Sequence, residues 1–433
     1  MKYSKWTTLA AVLVVSAFLL SGCAREGART ASGKKPVEIK VTFWGAPDEV
    51  NIMAHIMGEW QRAHPGIKVR LEHTPYRGYV DKLLTRIAGR SAPDIICTEV
   101  DLFVTFQSKN VLLDLTPYLK EDSTFGTDDF YPEIINRFTE DGKLYAIPRD
   151  TAPFACVYYN KTLFDKEGVP YPTDDWDVND LLEKAKKLTE VSSDGRVLRY
   201  GFYAWAWQNF VYAFGGKLVD DVKNPTRCVL DSKEAVEGLQ FYTDLINKYK
   251  VHPSSTAMAN LAMGVQGMFM TGRLAMFTSG IWETPGLRKI DNFEWDVVMF
   301  PKGPRGIRGF GTGGSGYSIL KSSKHPKEAY EVLKALAGEK AQEMLAETGL
   351  AQPAIMEVAR KWAADGKMPK NKKMLLRAMK YVVYSPFTPV WREARELYIF
   401  SALDRVFSGR QGVRPAIDGI INKVNALLAT SRS

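Results

Sequence analysis

Between Val37 and Cys97 the sequence switches repeatedly from a two-residue to a 3.6-residue hydrophobic period, and this alternation restricts the fold more than any other feature. Val37–Phe43 alternates apolar and polar residues and stops at Trp44-Gly45. Ile52, Met53, Ile56, Met57 and Trp60 then share one helical face, which ends before the breaker His64-Pro65-Gly66. Ile67–Leu71 reads as a second strand, Tyr79–Ile87 as a second helix, and Asp94–Cys97 as a short buried strand after Pro93. A β-α-β-α-β order predicts a mostly parallel sheet covered by helices, whose ligands bind beyond the carboxyl ends of the strands. By that rule Trp44 and the Thr98–Asp101 segment are candidate walls of a cleft.

The rest of the chain keeps an α/β character. Phe154–Tyr159 is strand-like, Asn160–Asp165 starts a helix, and Tyr171–Asp177 is a Pro- and Asp-rich turn. Val178–Leu188 carries Leu181, Leu182, Ala185 and Leu188 on one helical face, and Arg199–Trp205 reads as a strand ending in aromatic residues. Helices dominate from Lys327 onward: Ala329–Leu336, Glu339–Glu347, segments around Leu375–Ala378, Ala394–Phe407 and Val413–Leu428. The 433 residues suffice for two or three domains. With 45% hydrophobic and 25% charged residues, neither wholesale disorder nor a polytopic membrane protein fits. The formal charge of +9, from 58 basic and 49 acidic residues, fits a solvated basic surface or contact with an anionic ligand or lipid. No block of like charges marks a nucleic-acid partner.

The N-terminus points to export. Lys2 and Lys5 precede an apolar run from Leu9 to Leu20, too short for a mature transmembrane helix, so residues 1–22 read as a secretory signal. Leu20-Ser21-Gly22-Cys23 resembles the bacterial lipobox, in which cleavage precedes the cysteine and the thiol, here Cys23, carries lipid. One acyl chain anchors only marginally, so the diacylglycerol of such a modification meets the physical need. Residues 23–36 then supply a lipidated cysteine and a flexible tether. The location expected is extracytoplasmic, on the cell membrane.

Removing Cys23 leaves Cys97, Cys156 and Cys228, an odd number. Cys97 and Cys156 lie in apolar runs and read as buried, inert thiols. No CxxC, HExxH or Cys/His zinc spacing occurs, so neither a metal centre nor another cofactor is expected. Gly309–Gly314 and Gly311–Gly316 both match GxGxxG, but Tyr317-Ser-Ile-Leu320 continues as a strand, whereas a dinucleotide fingerprint must open a helix. No GxxxxGK[ST] nucleotide loop is present.

Four runs resemble the bacterial extracellular solute-binding protein family 1, the carbohydrate-binding subunits of ABC importers. Asp94-Ile-Ile-Cys-Thr-Glu-Val-Asp101 is followed by Leu112-Leu-Asp-Leu-Thr-Pro-Tyr-Leu119. Leu144-Tyr-Ala-Ile-Pro148 precedes Val157-Tyr-Tyr-Asn-Lys-Thr-Leu-Phe164. Gly272-Arg-Leu-Ala-Met-Phe-Thr-Ser-Gly-Ile-Trp282 and Gly311-Thr-Gly-Gly-Ser-Gly-Tyr-Ser-Ile319, with Lys327-Glu-Ala-Tyr-Glu-Val-Leu333, complete the order. The resemblance implies a two-lobed periplasmic-binding-protein fold with a multi-segment hinge and a ligand cleft between the lobes. It places residues 37–155 plus 315–375 in lobe I and 156–314 plus 376–433 in lobe II.

Sugars present C–H faces that stack on aromatic rings and hydroxyl edges that pair with carboxylates and amides. By resemblance, Trp44, Trp282 and Trp391 match ligand-facing positions, whereas Trp60, Trp176, Trp295 and Trp362 read as core or cap packing. Trp205 and Trp207 fall near strand ends, and Gln208 beside them offers an amide. Asp101, with Glu99, matches a hydroxyl-binding carboxylate or else caps a helix. Arg149 and Asp150 are ligand contacts or an internal salt bridge. Ser279-Gly280 and Gly313-Gly314 offer backbone N–H groups or are plain turn formers. The function implied is a non-enzymatic, monomeric lipoprotein that captures a mono- or oligosaccharide and delivers it to an ABC permease. Two alternatives remain: an anionic ligand, motivated by Arg149 and the basic excess, and an exported glycosidase.

Overall fold

The computed structural model describes residues 35–431 apart from Ala46 and Arg77. The signal segment 1–22, Cys23 and the tether as far as residue 34 lie outside the described residues. From Pro36 the chain forms a single unit containing two sheets and two hydrophobic cores.

Eleven strands build the two main sheets: β1 (Val37–Phe43), β2 (Ile67–His73), β3 (Ile95–Glu99), β4 (Ile147–Pro153), β5 (Cys156–Asn160), β6 (Tyr203–Ala204), β7 (Met276–Ser279), β8 (Trp295–Met299), β9 (Phe310–Ile319), β10 (Gln352–Pro353) and β11 (Val382–Val383). The first sheet runs β10-β4-β9-β3-β1-β2, with β11 against β9, and the second runs β6-β7-β5-β8. Helices α1 (Pro47–Ala63), α2 (Tyr79–Ala88) and α3 (Val100–Ser108) alternate with the opening strands, as the periodicity predicts. Among the described residues no helix is long and apolar enough to cross a membrane.

The sheet is parallel where the early pattern is read and again where β11 joins β9, and antiparallel between. β1 pairs in parallel with β2 and β3, but β9 is antiparallel to both β3 and β4. The cause is connectivity: β4 carries the chain out toward the second core and β9 brings it back, so the two must oppose each other. Their register aligns Asp150 with Ser315 and Ser315 with Glu99. Three chemically active positions therefore line up where the sheet ends.

The first core gathers residues from Ile39 to Ile147 and from Tyr317 to Val358. The second gathers Ala155 to Phe310 and, apart from Ala346, Trp362 to Leu428. The stretch before Leu375 is thus divided: Val358 packs into the first core, whereas Trp362, Met374 and Leu375 pack into the second. Helix α4 (Val178–Leu188) illustrates the local logic. Asp177 and Asp180 form a reciprocal capping box, worth about 1 kcal/mol, and Leu181, Leu182, Ala185 and Leu188 are all buried. Trp176 lies buried at the head of that helix and donates from Nε1 to the Met299 carbonyl at 2.7 Å.

Two sequence expectations change in detail. Arg199–Trp205 is not one strand: Val197–Arg199 and β6 belong to different sheets. The expected helix Ala394–Phe407 comprises α-helical Trp391–Ala394, a π-helical turn Arg395–Ile399 and α-helical Phe400–Phe407. The GxGxxG matches lie in β9, where no helix follows. Cys97, Cys156 and Cys228 are all buried free thiols, and burial pushes Cys97 and Cys228 up to about 12.

Candidate functional site

Trp44 follows β1, Glu99 ends β3, and β4 and β9 cross between the cores at the same edge. Two adjoining cavities open there, of about 340 and 410 Å³, within the range of small-molecule sites. Ser385, Trp391 and Arg395 wall both, so they are halves of one cleft.

The first half is polar. Tyr76, from the turn after β2, donates its hydroxyl to Glu99 at 2.8 Å. Asp101 begins α3, where it accepts from Ser385 Oγ at 2.9 Å and faces Arg395 at 3.6 Å. Its Oδ1 is buried without a hydrogen-bond partner, as is the hydroxyl of the buried Thr388 in the same cavity. Burial, followed by the neighbouring Asp101 charge, pushes Glu99 up to about 7. Arg392 spans from Glu396 at 2.9 Å to Asp81 at 3.6 Å.

The second half is aromatic. Phe154, between β4 and β5, meets Trp205 edge-on at 4.7 Å and Trp282 at 6.0 Å. Trp205 is 40% exposed, Trp207 is buried, and Gln208 starts a short helix beside them. Gly311 matters here because a Cβ would lie 2.8 Å from the Phe154 ring, so only glycine lets β9 pass. Trp391 and Arg395, one helical turn apart, both stand on the cleft side, and Arg395 opens a π turn of a kind that recurs at functional sites.

The sequence candidates separate accordingly. Glu99, Asp101, Trp205, Trp207, Gln208 and Trp391 line the cleft. Trp44 supports it from behind, edge-on to Tyr76 at 5.8 Å and to Tyr79 at 5.0 Å. Half-buried Trp282 stands behind Phe154, and Gly313 is partly exposed on β9 near the same ring.

Arg149 and Asp150 instead take the internal salt-bridge alternative. Arg149 Nη1 donates to Glu49 at 2.5 Å and its Nε to Asp150 at 2.7 Å, while Asp150 accepts from the Ser315 backbone at 2.9 Å and hydroxyl at 2.8 Å. Burial opposes the Arg149 charge, but the Asp150 and Glu49 carboxylates outweigh it and raise the guanidinium pKa above its ordinary value. With both partners present the charge is compensated inside the fold, and neither residue lines the two cavities. Ser279 is buried and donates to Glu283 at 2.9 Å. Gly314 is a backbone requirement, with φ +132° and the Ile134 side chain 2.7 Å from where a Cβ would sit.

Tyr76, Phe154, Ser385 and Arg395 were not singled out by the sequence. The strand-end rule covers Tyr76, two residues past Thr74, and the Pro-flanked Ser385–Pro389 run signals a crossing loop. Arg395 lies four residues after Trp391, so the spacing of one helical face is the signal that could have found it. Among the described residues no three His, Cys, Asp or Glu side chains are arranged to hold a metal ion.

Comparison with known proteins agrees with this architecture. The family model for bacterial extracellular solute-binding proteins matches residues 46–343. A putative binding protein of Brucella abortus is 24% identical over 63% of this chain, and the match spans 65% of that relative's length. The arabinooligosaccharide-binding protein of Bacillus subtilis is 25% identical over 74% of this chain and 73% of its own length. An ABC substrate-binding protein of Listeria monocytogenes, solved in complex with cycloalternan, superimposes with a TM-score of 0.82 at 25% identity, covering 91% of this chain and all of that one. The fold is that of the two-lobed periplasmic binding proteins.

Proposed function

Because the chain belongs to the bacterial extracellular solute-binding protein family, we propose that it captures a mono- or oligosaccharide in the cleft and delivers it to an ABC permease. The observation that carries this reading is one cleft, shared by two cores, with carboxylates at one end and stacked aromatic rings at the other. Such walls suit the hydroxyl edges and C–H faces of sugars, and a site built for hydroxyls rejects analogues lacking them. The named relatives bind arabinooligosaccharide and cycloalternan, which supports the class.

Lobe I comprises the first core, lobe II the second, and β4, β9 and the segment around Ser385 form the hinge. A ligand touching both walls favours the shut form by its extra affinity for that form, which is the signal a permease reads. Glu99 and Asp101 take hydroxyls, with Trp205, Trp207 and Trp391 as platforms and Gln208 as an amide partner; Trp44, Trp282 and Gly313 shape the site from behind. The protein is monomeric, performs no covalent chemistry, and is held outside the cytoplasm by lipid on Cys23. The anionic-ligand alternative loses its main residue, since Arg149 is occupied by Glu49 and Asp150.

A thermal-shift screen of the purified protein against neutral and acidic saccharides tests the reading. A sugar at 100 times its Kd adds about 2.7 kcal/mol of stability. Silence across a broad panel, or turnover of chromogenic glycosides, sinks it.

A further inference from the structure

The protein carries a formal charge of +9, yet the polar half of its cleft has the opposite sign. Asp81, Glu99, Asp101 and Glu396 face only Arg392 and Arg395 there. Arg392 is shared between Asp81 and Glu396, and Arg395 makes its ion pair with Asp101, whose charge the buried Arg137 outside the cavity also meets. Glu99 has a phenol as its hydrogen-bond partner, and Arg395 acts on it only as a more distant charge. Arg149, the next guanidinium across the sheet, is already paired with Glu49 and Asp150.

Two further observations point to a missing ligand that both donates and accepts, since Arg395 Nε is also buried and unpartnered in this cavity. Asp101 Oδ1 and the Thr388 hydroxyl are buried and unpartnered in the same cavity, and a buried polar atom left unmet costs about 1–3 kcal/mol. Aromatic rings stand beside these atoms: Tyr76 and Trp391 both line the cavity. Carboxylates flanked by aromatic faces are the chemistry that recognises an organic ammonium, through charge-assisted hydrogen bonds and cation–π attraction.

We propose that the polar half of the cleft takes the protonated amine of an amino sugar, held by Glu99 and Asp101. The inference rests on the carbohydrate reading above and narrows it to a substrate class. The ligand's ammonium supplies the charge that Arg395 cannot give to both carboxylates. It also removes the reason for Glu99 to hold a proton, so that binding at pH 6, where the carboxyl is mostly protonated, expels about one. The groups facing Glu99 are Tyr76 from the turn after β2, Asp101 from α3, Asp150 from β4 and Arg395 from the π turn.

The test uses two probes, the glucosamine trisaccharide with free amines and its fully N-acetylated counterpart, titrated calorimetrically at pH 6, where the amines are protonated, in two buffers of different ionisation enthalpy. The free-amine form should bind about tenfold more tightly, lose affinity in high salt, and release a proton on binding. In Glu99→Gln both the preference and the proton release should vanish. Equal affinity of the two probes, or a preference for the acetylated one, overturns the proposal while leaving the carbohydrate reading standing. So does binding of neutral sugars from the panel with neither probe bound. A preference that survives in Glu99→Gln overturns the assignment to that carboxylate. If no carbohydrate of any kind binds, both readings fall together.

Discussion

On the first-core side of the cleft, Tyr76, Asp81, Glu99 and Asp101 form a wall whose chemistry is charge and hydrogen bonding. On the second-core side, Trp205, Trp207, Trp391 and Phe400 form a wall of rings. The two are bridged without ligand by Arg392 to Asp81 and Arg395 to Asp101, both at 3.6 Å. The difference separates two tasks. Rings supply area and tolerate rotation of a ligand about their faces, whereas carboxylates fix which edge points where and exclude molecules that cannot pair with them.

The comparison can be broken most severely where the walls meet. Trp391 is 5% exposed and belongs to the second core while lining both cavities. Trp391→Ala should cost about 3–5 kcal/mol of stability and abolish measurable sugar binding, read by chemical denaturation and calorimetry. Arg149→Met tests whether the buried network is architecture. Stranding Glu49 and Asp150 should cost about 3–5 kcal/mol, while the folded fraction keeps its affinity; a selective loss of affinity would return Arg149 to the site.

Milder changes sharpen the contrast. Trp205→Ala, at an exposed ring, should lower affinity about tenfold yet move stability by less than about 0.5 kcal/mol. Glu99→Gln should act on stability through pH. An unfolded glutamate titrates at about 4.3 and the folded one near 7, so the stability tied to its neutral form is complete below the lower value and lost as pH rises through the upper one. The variant should therefore match wild type at pH 4 and exceed it at pH 8 by on the order of 1 kcal/mol, measured as the melting difference across that range. Asp81→Asn breaks an exposed, long ion pair and should change affinity less than about twofold.

Much of the frame was legible because it is written in period and punctuation. The helix Val178–Leu188 is found where its apolar face and the turn ending at Asp177 predict, and the strands from Val37 to Cys97 alternate with helices as their patterns demand. The antiparallel half of the first sheet was not legible, since pairing of β9 with β3 depends on a return through the second core and not on the local sequence. In the site, strand-end position reached Glu99 and Asp101, and aromatic clustering reached Trp205 and Trp207. The same reasoning could not separate Arg149 from a ligand contact, because Glu49 lies far from it in sequence and meets it only in the fold. Arg395 was hidden for a different cause: it lies one helical turn after Trp391, but nothing local says which face of that helix meets the cleft.

The placement of β9 between β3 and β4 also sets a timetable. When β1 to β4 have left the ribosome, the first sheet still has a gap at its centre, and the strand that fills it is not made until Phe310–Ile319, after nearly all the strands of the second core. β3 and β4 therefore wait as open edges through the synthesis of an entire second sheet, a state that long-range pairing makes slow to leave and prone to wrong partners. A chain cut short of Phe310 has the residues of β1 to β4 but no means of joining them into one sheet.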